Sequence, residues 1–244
     1  MRLIWWGFSP NTQLDHGLHD PCRAPYHYRV RNLLILFSVT ASAVYFLTQP
    51  WHPFPGSIAL KGLSVAPLAV LAFRSALPIR ERLLLGLALA FDSLGDVLLD
   101  WSGSLFPVGL GAFLVGHFLY FGLFWSNRPK PTRLTWSERL LIIGLGLFAS
   151  VMSFYLLPAT GQLALPVAIY MGALTVMVAS SVTLQLPERW VVLGALLFLF
   201  SDTVLAVSKF KSPVRGRELL VWPTYYVGQL LIAVGCLRAR LGRR

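Results

Sequence analysis

The sequence predicts an all-α, polytopic membrane protein with about eight transmembrane helices in a single domain. The 244-residue chain is 56% hydrophobic and only 13% charged, whereas about a quarter of an ordinary soluble domain is charged. Its apolar residues form long continuous runs rather than the alternating pattern of transmembrane strands. These runs reach the roughly 20 residues that a helix needs to cross a bilayer core of about 30 Å. The composition and the run lengths together indicate membrane-spanning helices.

Eight segments have this length, and turn-forming residues separate several of them. Pro53 and Gly56 lie in the first connector, and Pro129 and Pro131 lie in the fourth. The residues of 157–161, Leu-Pro-Ala-Thr-Gly, predict a tight turn between two spans. The predicted spans are residues 32–49, 58–77, 82–100, 104–126, 139–157, 162–185, 189–208 and 218–237.

Charge placement predicts the orientation of the single domain, residues 32–237, and of its tails, residues 1–31 and 238–244. An even number of spans puts both termini on one side, and that side holds sixteen Lys and Arg residues against four on the other. Because basic loops stay in the cytoplasm, we expect both termini to be cytoplasmic, in the inner membrane if the protein is bacterial. The four exceptions share one connector: Lys209, Lys211, Arg215 and Arg217.

A faint internal repeat relates the third predicted span to the seventh. Residues 91–96, Phe-Asp-Ser-Leu-Gly-Asp, are similar to residues 197–202, Leu-Phe-Leu-Phe-Ser-Asp. Four spans followed by four in the same orientation would form a parallel repeat, with a site between the halves. The sequence therefore suggests a 4+4 arrangement.

Several function classes are disfavoured by composition. The formal net charge is +11, but the basic residues are spread over connectors and tails rather than gathered in the stripe that nucleic acid requires. Cys22 and Cys236 form neither a disulfide framework nor a metal-ligand spacing. We therefore expect no metal, no cofactor and no nucleic acid, with membrane lipid as the surroundings. The sequence makes no prediction of oligomeric state.

Three aspartates inside the predicted spans are the strongest functional signal. An ionised Asp near a helix centre costs about 2.5–3.5 kcal/mol on insertion scales, so a polar intramembrane cavity is expected. Asp92 and Asp96 are four residues apart on one helix face. Asp96 and Asp202 lie at matching depth, about 20–22 Å from the cytoplasmic ends of their spans. Two carboxylates held close in a low dielectric cannot both ionise easily, so they would provide one acid and one base.

Other polar residues, some at nearby depths and His117 deeper toward the cytoplasmic side, have both a functional and a structural interpretation. Lys61 either contacts a ligand or extends to the membrane surface, and His117 either participates in chemistry or links helices. Tyr225 and Tyr226 are candidate site residues that also suit an aromatic belt, in which Trp101 and the adjacent Asp100 are expected. The aspartates themselves have a structural alternative, which is pairing across helices.

In their order along the chain, these motifs resemble the YhhN-like lysoplasmalogenase family. Residues 91–96 followed by Gly116-His117-Phe118-Leu119-Tyr120 are similar to its first signature. Its later signatures resemble Tyr170-Met171, Ser201-Asp202 and Thr224-Tyr225-Tyr226 with Gln229. Two positions depart from the family pattern. Asp92 stands where a small hydroxyl residue is usual, which leaves open which third-span Asp carries the proton, and Gly62 follows Lys61 where Pro is common.

The resemblance implies an eight-helix hydrolase that cleaves the vinyl ether bond of a lysoplasmalogen into a fatty aldehyde and a glycerophospho-ethanolamine or -choline. It implies that Asp96 and Asp202 are catalytic. The expected substrate-binding residues are Lys61, Asp92, His117, Tyr120, Tyr170, Ser201, Thr224, Tyr225, Tyr226 and Gln229.

Acid–base chemistry suits such a substrate, since vinyl ethers hydrolyse through protonation of the alkene carbon and capture of the resulting cation by water. The basic connector would hold either the head-group phosphate or anionic lipid in general. Two other functions use the same residues. A proton-coupled transporter would employ the carboxylates as a relay, and a lipid-binding scaffold would perform no chemistry.

Overall fold

A computed structural model describes residues 23–128, 134–184 and 189–241, and these residues form eight α-helices linked by short turns. The result confirms the all-α prediction and the number of helical segments. The helices are α1 Arg23–Thr48, α2 Ser57–Phe73, α3 Ile79–Trp101, α4 Phe106–Ser126, α5 Trp136–Leu156, α6 Ala164–Val182, α7 Arg189–Phe210 and α8 Arg217–Leu241.

The helix boundaries differ from the predicted spans by a few residues at most ends, and by more at the start of α1. This helix begins at Arg23 rather than at 32, because a helix can continue into polar sequence beyond its apolar part. Of the predicted N-terminal tail, residues 23–31 belong to α1, and residues 1–22 lie outside the described residues. Conversely, α2 ends at Phe73 rather than at 77, since Pro78 precedes the first turn of α3.

Local sequence explains where two of the helices begin. Gly56, with φ 96°, is the N-cap of α2 and adopts a left-handed conformation that suits a residue without a side chain. A capping box begins α5, where the Thr135 hydroxyl accepts from the Glu138 backbone and Glu138 accepts from the Thr135 backbone. The turn predicted at 157–161 consists of two consecutive 3₁₀ segments, Leu157–Ala159 and Gly161–Leu163.

Six helices within the described residues are long and apolar enough to cross a membrane: α1, α4, α5, α6, α7 and α8. The protein is thus a multi-pass helical membrane protein. Helix α2 is apolar but has only 17 residues. Helix α3 carries Asp92 and Asp96 on the face that it buries against the protein, which keeps these carboxylates away from lipid.

Consecutive helices pack side by side within α1–α4 and within α5–α8, and α2–α8 and α4–α6 join the two groups. Short connectors make sequential neighbours antiparallel. Odd-numbered helices consequently end, and even-numbered helices begin, at one end of the bundle, which we term the α7–α8 end. Contacts there include Phe106 against Phe210, with ring centroids 5.9 Å apart. The Trp222 indole on α8 also donates a 3.1 Å hydrogen bond to the Ser42 hydroxyl on α1.

The backbones of α7 and α8 approach each other closely at Gly194 and Gly228. A Cβ atom on Gly194 would lie 2.6 Å from the Gly228 carbonyl oxygen, and one on Gly228 would lie 2.8 Å from the Gly194 carbonyl oxygen. Small residues at helix crossings permit this contact in membrane proteins. These two glycines therefore determine the separation of α7 and α8, the helices that carry Asp202 and Tyr225.

We expect Gly194→Ala to lower the free energy of unfolding by about 1–3 kcal/mol, because the added methyl group must separate two backbones. Gly146→Ala on α5 is the matched control, since a Cβ there meets nothing within 4 Å and Ala has the higher helix propensity. Thermal unfolding of the purified protein in detergent measures both. Equal stability of the two variants would contradict the packing role of Gly194.

Candidate active site

A cavity of about 280 Å³ lies near the α7–α8 end, among residues of α2 to α8. Its walls are mainly apolar, with contributions from Phe113 on α4 and Met152 on α5. Asp96 on α3 and Asp202 on α7 both line it. Asp96 is only 2% exposed, whereas Asp202 is half-buried. The structure therefore brings two aspartates, distant in sequence, to one apolar cavity.

Each of these carboxylates accepts a hydrogen bond from a tyrosine that also lines the cavity. The Tyr225 hydroxyl on α8 donates to Asp96 Oδ2 at 2.7 Å, and the Tyr170 hydroxyl on α6 donates to Asp202 Oδ2. Each bond crosses between two helices. The arrangement holds both carboxylates in place through Oδ2.

An aromatic layer surrounds the two tyrosines. The Phe198 ring lies 5.2 Å from the Tyr225 ring and 5.2 Å from the His117 ring, measured between centroids. His117 in turn contacts the Tyr170 ring edge-on, at 4.9 Å. His117 is fully buried, and neither of its ring nitrogens has a hydrogen-bond partner among the described residues. In the structure it packs beside Tyr170 and is not among the cavity-lining residues.

A second polar network lies one helical turn along α3, outside the cavity lining. The Tyr120 hydroxyl donates to Gln229 Oε1 at 2.7 Å, and Gln229 Nε2 donates to Asp92 Oδ2 at 2.6 Å. All three side chains are fully buried. Asp92 Oδ1 lies against Gly116, so only glycine fits opposite this carboxylate. The network joins α3, α4 and α8 behind the cavity.

The mouth of the cavity, at the α7–α8 end, is charged. Lys61 forms a 2.7 Å ion pair with Asp100 Oδ1, while the Tyr45 hydroxyl donates to Asp100 Oδ2 at 2.6 Å. Lys209 and Arg217 also line the cavity. The Lys209 ammonium lies 4.7 Å from the centroid of the Phe106 ring, and Arg217 donates to the Ser208 hydroxyl at 3.2 Å.

Asp100 is the site residue that sequence reasoning missed, because it was assigned to the membrane interface. The signal was present in the spacing. Asp92, Asp96 and Asp100 follow one another at intervals of four residues and therefore share one face of α3. Lys61, the ion-pair partner of Asp100, is 39 positions away, so this pairing could not be seen in the sequence.

Three predicted binding residues have contacts within the protein that account for their polar atoms. Ser201 lines the cavity and donates to the Val221 carbonyl at 2.9 Å. Thr224 donates to the Leu220 carbonyl of its own helix at 2.6 Å, and the Tyr226 hydroxyl pairs with the Ser38 hydroxyl at 2.8 Å. Neither Thr224 nor Tyr226 lines the cavity. The described residues contain no group of three or more His, Cys, Asp or Glu side chains placed to hold a metal ion.

Comparison with known proteins gives a consistent set of relatives. The YhhN family model matches residues 56–236. A lysoplasmalogenase from Mycobacterium bovis is 29% identical over 213 residues, which cover 82% of this chain and 79% of the relative. Mouse lysoplasmalogenase TMEM86B is 31% identical over 214 residues, 86% and 88% of the two chains. Human TMEM86B is 35% identical over 152 residues, 62% of each. No solved structure matches the chain.

We expect Gln229→Leu to destabilise the protein by about 2–4 kcal/mol, because it leaves the buried Asp92 and Tyr120 without their shared partner. Thr224→Val on the same helix is the control, since the lost hydrogen bond is to its own helix backbone. Thermal unfolding in detergent compares the two. If Gln229→Leu unfolds at the temperature of the control, the network does not stabilise the bundle.

Proposed function

Since the chain belongs to the YhhN family, we propose that it is a lysoplasmalogenase that hydrolyses the vinyl ether bond within the membrane. The products are a fatty aldehyde and a glycerophospho-ethanolamine or -choline. Relatives aligned over most of the chain bear that name. The observation that carries the proposal is the pair of carboxylates, Asp96 and Asp202, lining one apolar cavity with a charged mouth. Such a cavity suits a ligand with one hydrocarbon chain and one polar head.

The proposed reaction uses the two aspartates as acid and base. One carboxyl transfers its proton to the alkene carbon remote from the ether oxygen, which leaves an oxocarbenium ion at the neighbouring carbon. The other carboxylate stabilises this cation and orients a water molecule. The water oxygen bonds to the cationic carbon and its proton passes to the carboxylate. The resulting hemiacetal then separates into aldehyde and alcohol as its C–O bond breaks.

The remaining polar residues fall into supporting roles in this proposal. Tyr170 and Tyr225 hold the two carboxylates through Oδ2, and we assign Oδ1 of each Asp to the reaction. Asp92 lies one turn from Asp96 and is engaged by Gln229. We therefore assign it to positioning α3 and to the electrostatic environment of Asp96, rather than to substrate contact.

The proposal includes the membrane arrangement. We infer that all eight helices cross, with both termini cytoplasmic as the basic residues predict. The 17 residues of α2 span about 25 Å, which modest local thinning of the bilayer accommodates. The α7–α8 end then faces the opposite side. A 4+4 repeat is supported by the inter-half contacts, because α2–α8 and α4–α6 are equivalent pairs under such a repeat.

The charged mouth is proposed to bind the head group. Lys209 and Arg217, the two basic-connector residues that line the cavity, provide donors for a phosphate. Lys211 instead lies over the Tyr155 ring, 4.7 Å from its centroid, and does not line the cavity. The two lysines of the connector therefore have different environments, which separates specific phosphate binding from general attraction to anionic lipid.

We expect Asp96→Asn and Asp202→Asn each to reduce aldehyde release from a lysoplasmalogen by about 10²–10⁴-fold, because each removes a proton-transfer group. Glu138→Gln is the control, since its carboxylate caps α5 and glutamine preserves that cap. The assay uses purified protein in detergent, with unfolding temperatures measured for every variant.

Two outcomes would overturn this assignment: full activity in both Asp variants, or no aldehyde from the unmodified protein. If the latter came with proton flux in proteoliposomes, the transporter alternative would replace the proposal. Loss of activity in Glu138→Gln would show that the assay reports stability rather than chemistry.

For the head-group site, we expect Lys209→Gln to raise KM about tenfold with kcat unchanged, since a charge-assisted hydrogen bond to phosphate is worth about 1.5–3 kcal/mol. Lys211→Gln is the matched control and should leave both constants unchanged. Steady-state kinetics of aldehyde release measure them. Equal effects from the two lysines would indicate general electrostatic attraction instead of a phosphate site.

A further inference from the structure

We infer that the hydrocarbon chain of the substrate passes out of the cavity through a lateral slot between α5 and α7 and continues into the surrounding lipid. The identity of the occupant, a single-chain phospholipid, rests on the proposed function. The slot itself is argued from the packing of α5, the exposure of its residues and the depth of the cavity.

Helix α5 is held to the rest of the bundle mainly on one side. It packs along α6 but contacts α7 at only a few positions, although both α5 and α7 line the cavity. Its outer surface is strongly exposed, including Leu147 at 64%, Val151 at 65% and Phe154 at 86%. A helix with this exposure in a membrane protein faces lipid. Lipid therefore lies directly outside the α5 wall of the cavity.

One face of α5 points toward the cavity and consists of Leu145, Ala149, Met152 and Leu156, which follow one another at helical spacing. This inward stripe is buried at its two ends but not in its middle. Leu145 and Leu156 are 5% and 1% exposed. Ala149 and Met152, between them, are half-buried and line the cavity. The middle of the stripe thus faces open space rather than the neighbouring helix.

Phe148 marks the place where the cavity meets the lipid-facing surface. Its side chain lines the cavity and is also 39% exposed. On the opposite wall, Leu199 of α7 lines the cavity and is followed by Phe200, which is 46% exposed. The deep end of the cavity therefore has exposed aromatic side chains on both α5 and α7, and these would flank the emerging chain.

The depth of the cavity is too small to enclose a lipid chain. On α7, the lining residue furthest from the α7–α8 end is Leu199, about 4.5 Å beyond Asp202 along the helix axis. On α6, it is Thr175, about 7.5 Å beyond Tyr170. A chain that fills one leaflet extends about 15 Å, half of the bilayer core. At least half of such a chain must therefore lie outside the cavity, and the gap between α5 and α7 is the opening next to lipid.

The distance on the other side of the carboxylates fixes the direction of the substrate. Lys209 lies about 10 Å from Asp202 along α7. In an extended lysoplasmalogen, seven bonds separate the phosphorus from the alkene carbon to be protonated, or about 8 Å at roughly 1.2 Å per bond. A phosphate at Lys209 therefore brings the vinyl ether to Asp202. The remainder of the chain then points toward Phe148.

Ala149→Trp tests the slot, because the indole would fill the space between α5 and α7. Binding is measured in lipid nanodiscs by thermal shift, with saturated alkyl-ether lysophosphoethanolamines that contain no cleavable vinyl bond. We expect the Kd of the hexadecyl ligand to rise about tenfold. The Kd of the hexyl ligand should change by less than about twofold, because its short chain fits within the depth of the cavity.

Val151→Trp is the matched control, since it makes a comparably bulky substitution on the lipid-facing side of the same helix, and both ligands should bind it as they bind the unmodified protein. Should Ala149→Trp fail to fold, Met152→Trp places the same side chain one turn along the inward stripe. An equal change for hexyl and hexadecyl ligands, or no change for hexadecyl in a folded variant, would overturn the slot. So would the same selectivity in Val151→Trp.

The binding assay separates this inference from the proposed function. If the unmodified protein releases no aldehyde but binds the hexadecyl ligand in a manner that depends on Ala149, the catalytic proposal fails and the slot stands. If it releases aldehyde and Ala149→Trp does not discriminate between chain lengths, the reverse holds.

Discussion

Burial of carboxylates inside a membrane domain is the constraint on which the rest of this structure depends. Each acidic group on the buried face of α3 or near the middle of α7 must have a polar partner, since hydrocarbon provides none. Asp96 has Tyr225 from α8, Asp202 has Tyr170 from the preceding helix α6, and Asp92 has Gln229. These hydrogen bonds connect α3 with α8 and α6 with α7. The hydrogen bonds that satisfy the buried carboxyl groups thus also fix the helices that form the cavity.

The structure also separates polar groups that are equivalent in the sequence. Asp92 and Asp96 are one turn apart on one helix face, yet only Asp96 lines the cavity, while Asp92 belongs to a fully buried network. Asp100, one turn further, forms the ion pair with Lys61 at the mouth. A single face of α3 therefore contains three carboxylates in succession: Asp92 in the buried network, Asp96 as a proposed catalytic group and Asp100 at the mouth of the cavity. Their environments, rather than their residue type, distinguish them.

Much of this arrangement was predictable, because hydrophobic runs of membrane length define helices almost independently of tertiary context. The insertion cost of a charged side chain can be read from single residues and identified Asp92, Asp96 and Asp202. Matching depth along the helices and the family resemblance then selected Asp96 and Asp202. What the sequence could not predict were partners: the Tyr225–Asp96 bond joins positions 129 apart, and the Lys61–Asp100 pair depends on how α2 meets α3. Thr224 and Tyr226 have the polarity of site residues but lie outside the cavity lining, a distinction that only packing provides.

The proposed charged mouth and apolar side opening have a consequence for turnover. In the proposed reaction, cleavage converts one amphiphile into two molecules of opposite solubility. The glycerophosphate product has lost its anchor in the membrane and would dissolve in water beyond Lys209 and Arg217. The aldehyde keeps its hydrocarbon chain and would diffuse into the bilayer past Phe148. Because the two products partition into different phases, neither would need to pass the other on release. Recombination inside the protein would then be suppressed without a conformational change.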